Sequence, residues 1–245
     1  MKSKLLLSIV GLTAMFGMNS VQAAPVIFFG EDLNTGPFVS TIGANTTAAQ
    51  ASFLGSLTGV GNENFESFAG GTGTPLNVSF PGSVGSITAA MTSTGGVSIS
   101  NAPNAGRFAT SGSNYLAVSS GANFTLTFGT AISAFGFLGT DIGDFVPSNM
   151  VLTLTDINSV TTQQIVGHTV NAAANNNSLF WGFTDTGNSY TSISFSNPGG
   201  GDTFGFDDLV IGDQQQIVAV AEPGVLAILG LGLLGLAYAR RKRTA

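Results

Sequence analysis

From residue 64 to residue 211, apolar and polar positions repeat with a period of two. Phe124, Leu126 and Phe128 interleave with Thr125 and Thr127. Met150, Leu152 and Leu154 interleave with Val151, Thr153 and Thr155, and Ile193 and Phe195 with Ser192 and Ser194. Successive side chains of a strand point to opposite faces, so each run predicts a strand with one apolar and one hydroxyl-rich face. Further strands are expected at 64–68, 76–80, 87–92, 97–100, 115–118, 132–138, 163–168, 179–183 and 204–211. A short buried strand over 26–30 precedes them, with Glu31-Asp32-Leu33-Asn34 as a polar turn. Clusters such as Gly70-Gly71, Gly95-Gly96 and Pro103-Asn104 punctuate the series.

Roughly a dozen short strands joined by short turns predict a mainly β chain, an antiparallel β-sandwich of jelly-roll type. A parallel solenoid would need a fixed short repeat, and none is visible. One stretch departs from the period of two. Residues 44–57 carry Ala48, Ala49, Ala51, Phe53, Leu54 and Leu57 and predict one short N-terminal helix. Asn45 or Thr46 is expected to cap it, and Phe53, Leu54 and Leu57 to form its buried stripe.

Two apolar runs follow neither pattern, and both lie at the ends. Residues 1–23 place Lys2 and Lys4 before an apolar stretch, then Val21-Gln22-Ala23 before a cleavage point between Ala23 and Ala24. That order of parts is a secretory signal peptide. At the other end, Glu222, Pro223 and Gly224 precede an uncharged run over 225–239, which Arg240, Arg241, Lys242 and Arg243 close. As a helix the run spans roughly 22 Å, short of a bilayer core of about 30 Å unless flanking residues contribute. The basic residues favour a cytoplasmic C-terminus. Pro223 suits a first helical turn and leaves Glu222 in an extended segment at the outer membrane face, where a processing enzyme can read it.

The terminal segment resembles the PEP-CTERM sorting signal of Gram-negative bacteria, which joins a Pro-Glu-Pro-like motif, a Gly/Leu-rich span and an Arg-rich end. Ala221 stands where that family usually has its first proline. The resemblance implies recognition and removal of the segment by an exosortase in the inner membrane. The mature protein would then reach the cell surface or the extracellular polysaccharide. A plain single-pass transmembrane anchor is the other reading of the same residues. The expected organisation is a signal peptide over 1–23, a secreted domain over 24–213, a stalk over 214–221 and the sorting or anchor segment over 222–245.

Setting the two ends aside changes the charge. Of the seven Lys and Arg, only Arg107 lies outside them, and twelve of the thirteen acidic residues precede Glu222. Residues 24–221 therefore carry a net charge of −11. Such a surface repels nucleic acid and anionic lipid. The chain has no cysteine, which excludes disulfides, thiolate chemistry and cysteine-based zinc sites.

Two acidic stretches far apart in sequence stand out. Glu63-Asn64-Phe65-Glu66-Ser67-Phe68 opens the β-region, and Phe204-Gly205-Phe206-Asp207-Asp208-Leu209-Val210-Ile211 closes it. The pair resembles galactose-binding-like and carbohydrate-binding jelly rolls, in which first and last strands lie side by side and often share a structural calcium. The resemblance implies Glu66 and Asp207 or Asp208 as calcium ligands. Calcium takes 6–8 oxygens, and a nearly cation-free chain needs some counter-charge for buried acids. Strict alternation would place Asp207 and Asp208 on opposite faces. Asp141 and Asp144 form a second acidic loop, read as solvated.

The other chemistry-bearing residues form no catalytic set. His168 is the only histidine and has no acid at motif spacing, and no Gly-x-Ser-x-Gly elbow with partners is present. Trp181 and Tyr190 are candidates for a sugar-stacking platform, against the alternative of core packing. The functional expectation is a non-enzymatic surface or extracellular-matrix protein, associated with exopolysaccharide or biofilm. Its partners would be the secretion machinery, the exosortase, the inner membrane before processing and extracellular polysaccharide, with no nucleic acid. The alternatives are a carbohydrate-binding module, or an extracellular hydrolase carrying two carboxylates across a cleft.

Overall fold

The computed structural model describes residues 24–34, 41–104, 106–119, 121–143, 149–170, 176–196 and 203–218. The signal peptide, the sorting segment and Asp144 lie outside the described residues. The elements in chain order are β1 (Val26–Asn34), α1 (Ala44–Gly55), β2 (Asn62–Glu63), β3 (Leu76–Pro81), β4 (Ser86–Ser93), β5 (Val97–Ser100) and β6 (Tyr115–Val118). They continue with β7 (Phe124–Ile132), β8 (Ala134–Thr140), β9 (Met150–Asp156), β10 (Thr161–Val166), β11 (Asn176–Thr184), β12 (Tyr190–Ser196) and β13 (Phe204–Gly212).

The strands form two antiparallel sheets. One runs β1-β11-β8-β13-β6-β5, with β2 also paired to β13, and the other runs β10-β9-β12-β7-β4-β3. Apolar residues from both sheets fill one core, so the chain is a β-sandwich with one helix. The second sheet keeps the alternation of the sequence, because only one of its faces meets the core. In β3 and in the first part of β7, buried and open positions take turns. The first sheet does not alternate in its centre. Every residue of β8 and of β13 is buried. Strands covered on both faces lose the polar half of the pattern. Here α1 covers the outer face, where Phe53 packs with Leu138, Phe180 and Val210 in a second, smaller core. Gly136 makes this possible: a Cβ there would meet the Phe180 and Phe53 rings at 2.8 and 2.9 Å.

Between the sheets the packing is largely aromatic. Phe137 lies 5.7 Å from Phe195, 5.2 Å from Phe206 and 6.2 Å from Trp181, centroid to centroid. Phe124 and Phe195 stack at 4.2 Å across β7 and β12. Tilted and edge-on pairs of this kind add to the area each ring buries.

Four local expectations are corrected. Glu31-Asp32-Leu33-Asn34 is no turn: β1 continues through it, paired residue by residue with β11 from Leu179 to Asn176. The strand expected over 64–68 shrinks to Asn62–Glu63, because Phe65 takes a positive φ of 59° and the chain turns at once. Leu54 is 38 % exposed, so the stripe of α1 is Phe53 and Leu57 without it. The stalk does not begin at 214. Gln214–Gln216 is a single 3₁₀ turn capped by the Asp213 side chain. Buried Gln216 donates to the carbonyls of Gly59 (2.8 Å) and Pro81 (3.2 Å), and Val218 N–H to that of Ser56 (2.8 Å), which ties this segment to the domain.

Candidate functional site

Acids rarely stay buried without a counter-charge, and residues 24–221 have one cation. The structure answers with backbone N–H groups. Asp32 shows the device in its simplest form. Its carboxylate accepts from Asn45 N–H (3.2 Å) and Thr46 N–H (2.7 Å) at the start of α1. The helix's own N-cap, Gly43, supplies no side-chain bond, so neither Asn45 nor Thr46 is the cap. Burial alone would raise the Asp32 carboxyl, but these donors outweigh it and hold the group below the ordinary aspartate range. Asp213 behaves likewise, held low against burial by Ser83 and Gln215 N–H at 2.7 and 2.9 Å.

The three acids expected on calcium sit around one loop, residues 110–114. Asp207 is buried and its Oδ2 accepts from Thr110 N–H (2.7 Å), Thr110 Oγ1 (3.0 Å) and Ser111 N–H (3.1 Å). Asp208 accepts from Thr110 Oγ1 (2.9 Å), Ser111 Oγ (2.8 Å) and Asn62 Nδ2 (2.7 Å). Glu66 is exposed and accepts instead from Ser113 N–H (2.7 Å) and Asn114 N–H (2.6 Å) at the other end of the loop. As the sequence pairing suggested, the early and late acidic stretches are neighbours, since Glu63 pairs with Leu209 and Asn62 with Val210.

Strict alternation fails at Asp207-Asp208. Asp208 has a positive φ of 47° and the register against β8 shifts between Asp207 and Val210. A bulge of this kind re-aims one side chain. Both carboxylates therefore reach the Thr110 hydroxyl, while Phe206, Leu209 and Ile211 share the inter-sheet core. Burial, together with the Asp208 charge, pushes the Asp207 carboxyl up to about 7. Burial also raises Glu63, against a bond from Phe65 N–H at 2.7 Å.

As a calcium site this set does not fit. Glu66 is turned to a different stretch of the loop, and the described residues contain no group of three or more His, Cys, Asp or Glu placed to hold a metal. The oxygens that would face the ion already accept from the loop.

Other candidates resolve individually. Trp181 and Tyr190 are 1 % and 2 % exposed, so neither forms a stacking platform; both belong to the inter-sheet core. Tyr190 donates its phenol to Asp185 at 2.6 Å, and burial with that carboxylate pushes the phenol up. Asp141 is buried rather than solvated and lies 3.6 Å from Arg107, which also donates to the Thr203 carbonyl at 3.1 Å. His168 places Nδ1 3.0 Å from the Val170 carbonyl.

One exposed aromatic was missed by the sequence reading. Phe29, read as part of a buried strand, is 45 % exposed because β1 is an edge strand. It borders an open groove between β1 and α1, lined also by Gly30, Glu31, Asn45, Ala48 and Thr169. Its position in a run of four apolar residues concealed it.

No protein-family model matches the chain. No curated protein matches it either. Solved structures similar to it include TmCBM61 in complex with β-1,4-galactotriose, at 14 % identity and a TM-score of 0.33, covering 60 % of this chain and 92 % of that one. Another is the C-terminal family 22 carbohydrate binding module of Clostridium thermocellum Xyn10B, at 9 % identity and 0.34, covering 67 % and 97 %. A third is a mutant of the family 29 carbohydrate binding module CBM29-2, at 14 % identity and 0.27, covering 81 % and 100 %. Likenesses this distant carry no functional argument, and the description of the fold rests on the two sheets themselves.

Proposed function

We propose that this chain is an exported, non-enzymatic β-sandwich that is sorted to the cell surface or extracellular matrix of a Gram-negative bacterium. The order of parts at its C-terminus supports the address: Glu222-Pro223-Gly224, then an uncharged run, then Arg240, Arg241, Lys242 and Arg243. In this reading an exosortase removes that segment. The use of its acids supports a scaffold role. Each Asp and Glu among the described residues accepts a hydrogen bond or ion pair from the chain itself, and most brace a loop or turn, as in Glu66 with Ser113 and Asp156 with Val160 N–H at 2.8 Å. The test places one epitope after Arg243 and another after Ala24. The first should vanish from the mature form while the second appears outside the cell. Both tags remaining together in the membrane fraction would establish a plain anchor instead.

The second reading, binding of extracellular polysaccharide, has Phe29 in its favour. A sugar needs an exposed ring to stack on, and of the described aromatic residues Phe29 is the exposed one. The groove beside it has no cation, which suits a neutral glycan. Glycan-array binding should then be lost in Phe29→Ala. Binding that survives this change, or no binding at all by the unaltered protein, removes the reading.

A further inference from the structure

The free edge of β1 has a use of its own, independent of any glycan. β1 is nine residues long and pairs among the described residues with β11 alone. Val26, Ile27, Phe29 and Leu33 are all exposed, from 43 to 57 %. An edge strand offers unpaired N–H and C=O groups, and proteins ordinarily blunt such edges with proline, lysine or shortness. The other edges here are treated that way. β3 ends at Pro81, β5 has four residues, and the Gly73–Ser98 bridge covers part of β5. β10 opens with Thr161, Thr162, Gln163 and Gln164. β1 contains no proline and no lysine.

We propose that β1 is a self-association edge, on which two copies of the chain pair their Val26–Asn34 strands antiparallel about a two-fold axis at Phe28. Charge selects the occupant and the register. The strand is apolar at its start and acidic at Glu31 and Asp32. A parallel partner, or an antiparallel axis near Asp32, would set these acids against their own copies, which is destabilising in a sheet. An axis at Phe28 sets Ile27 opposite Phe29 of the other copy and Glu31 opposite Pro25. Asp32 then lies opposite Ala24, whose α-amino group is free and positive once the leader is cut after Ala23. A nearly cation-free domain thereby brings its newly made positive charge to its own acidic strand end. The same surface serves both copies, so the pairing closes on itself and leaves no further edge to propagate.

The test uses the exported full chain, which has no native cysteine. Opposed residues of antiparallel strands have Cα atoms about 4.5–5.5 Å apart, within the reach of a disulfide. The double variant Ile27→Cys/Phe29→Cys should run as a covalent dimer without reductant and as a monomer with it, whereas either single variant should not. Separately, sedimentation of the unaltered chain should give twice the monomer mass and Phe29→Lys the monomer mass. A monomeric unaltered chain, a double variant that does not cross-link, or a cross-link to a different polypeptide would each overturn the proposal. Phe29→Lys changes an exposed side chain, and unchanged protease resistance would show that it folds.

Discussion

At the scale of single residues, the chain's acids are held by donors rather than by cations. Asp207 is the extreme case, since two buried carboxylates share the hydroxyl of Thr110. Its carboxyl is raised from 3.8 to about 7. A raised folded value means that the folded protein binds this proton more tightly than the unfolded chain. The associated stability is complete below about pH 4 and is lost as pH rises toward 7. Asp32 and Asp213 are lowered, so their contribution is complete above the ordinary aspartate value and falls only in stronger acid. The two windows do not overlap. The melting temperature should therefore decline between pH 5 and pH 8, by the equivalent of a few kcal/mol. Asp207→Asn should flatten that decline, as read by thermal denaturation across the same range. A flat profile in the unaltered protein would show that the pair is not ionising in this window.

At the scale of elements, the informative contact is between β1 and α1. A helix of 12 residues is marginal by itself, and this one has no cap of its own. Asp32 supplies the cap from β1, and Phe53 anchors the other end among Leu138, Phe180 and Val210. Gly30 permits the close approach, since a Cβ there would meet the Asn45 carbonyl oxygen at 2.3 Å. Asp32→Ala should cost about 0.5–2 kcal/mol, the usual range for losing a helix cap, measured as a shift in denaturation midpoint. Gly30→Ala should release α1 more broadly, because backbone rather than a flexible side-chain end would have to move. The sequence disclosed the helix but not the cap. Capping rules search the residues beside a helix, and this partner comes from the preceding strand across a segment outside the described residues.

At the scale of the whole molecule, the sandwich closes its own charge balance at the loop over 110–114. Asp207 and Asp208 brace one end of it and Glu66 the other. The domain should accordingly melt at the same temperature with EDTA as with added calcium, and calorimetry should detect no binding heat. A calcium-dependent rise in the midpoint would show that the loop donors give way to the ion. Arg107, the sole cation of residues 24–221, reaches Asp141 and the Thr203 carbonyl, joining the ends of β8 and β13 from the long connection between β5 and β6.

Much of this molecule was local information and could be read from the sequence alone. The period of two in β7, β9 and β12, the breakers between strands, the single helix and the mainly β class all follow from the run of residues. The predicted targeting signals at the two ends rest on the same kind of linear order. What lay beyond the sequence depends on which surfaces meet. Trp181 and Tyr190 are core because a second sheet covers them, and Phe29 is open because nothing pairs beyond β1 among the described residues. Asp207 and Asp208 converge because a bulge in β13 breaks the alternation that their spacing implies. A residue's type sets what it can bond to, but its burial and partner are properties of the packed sheets, which bring together groups more than a hundred residues apart.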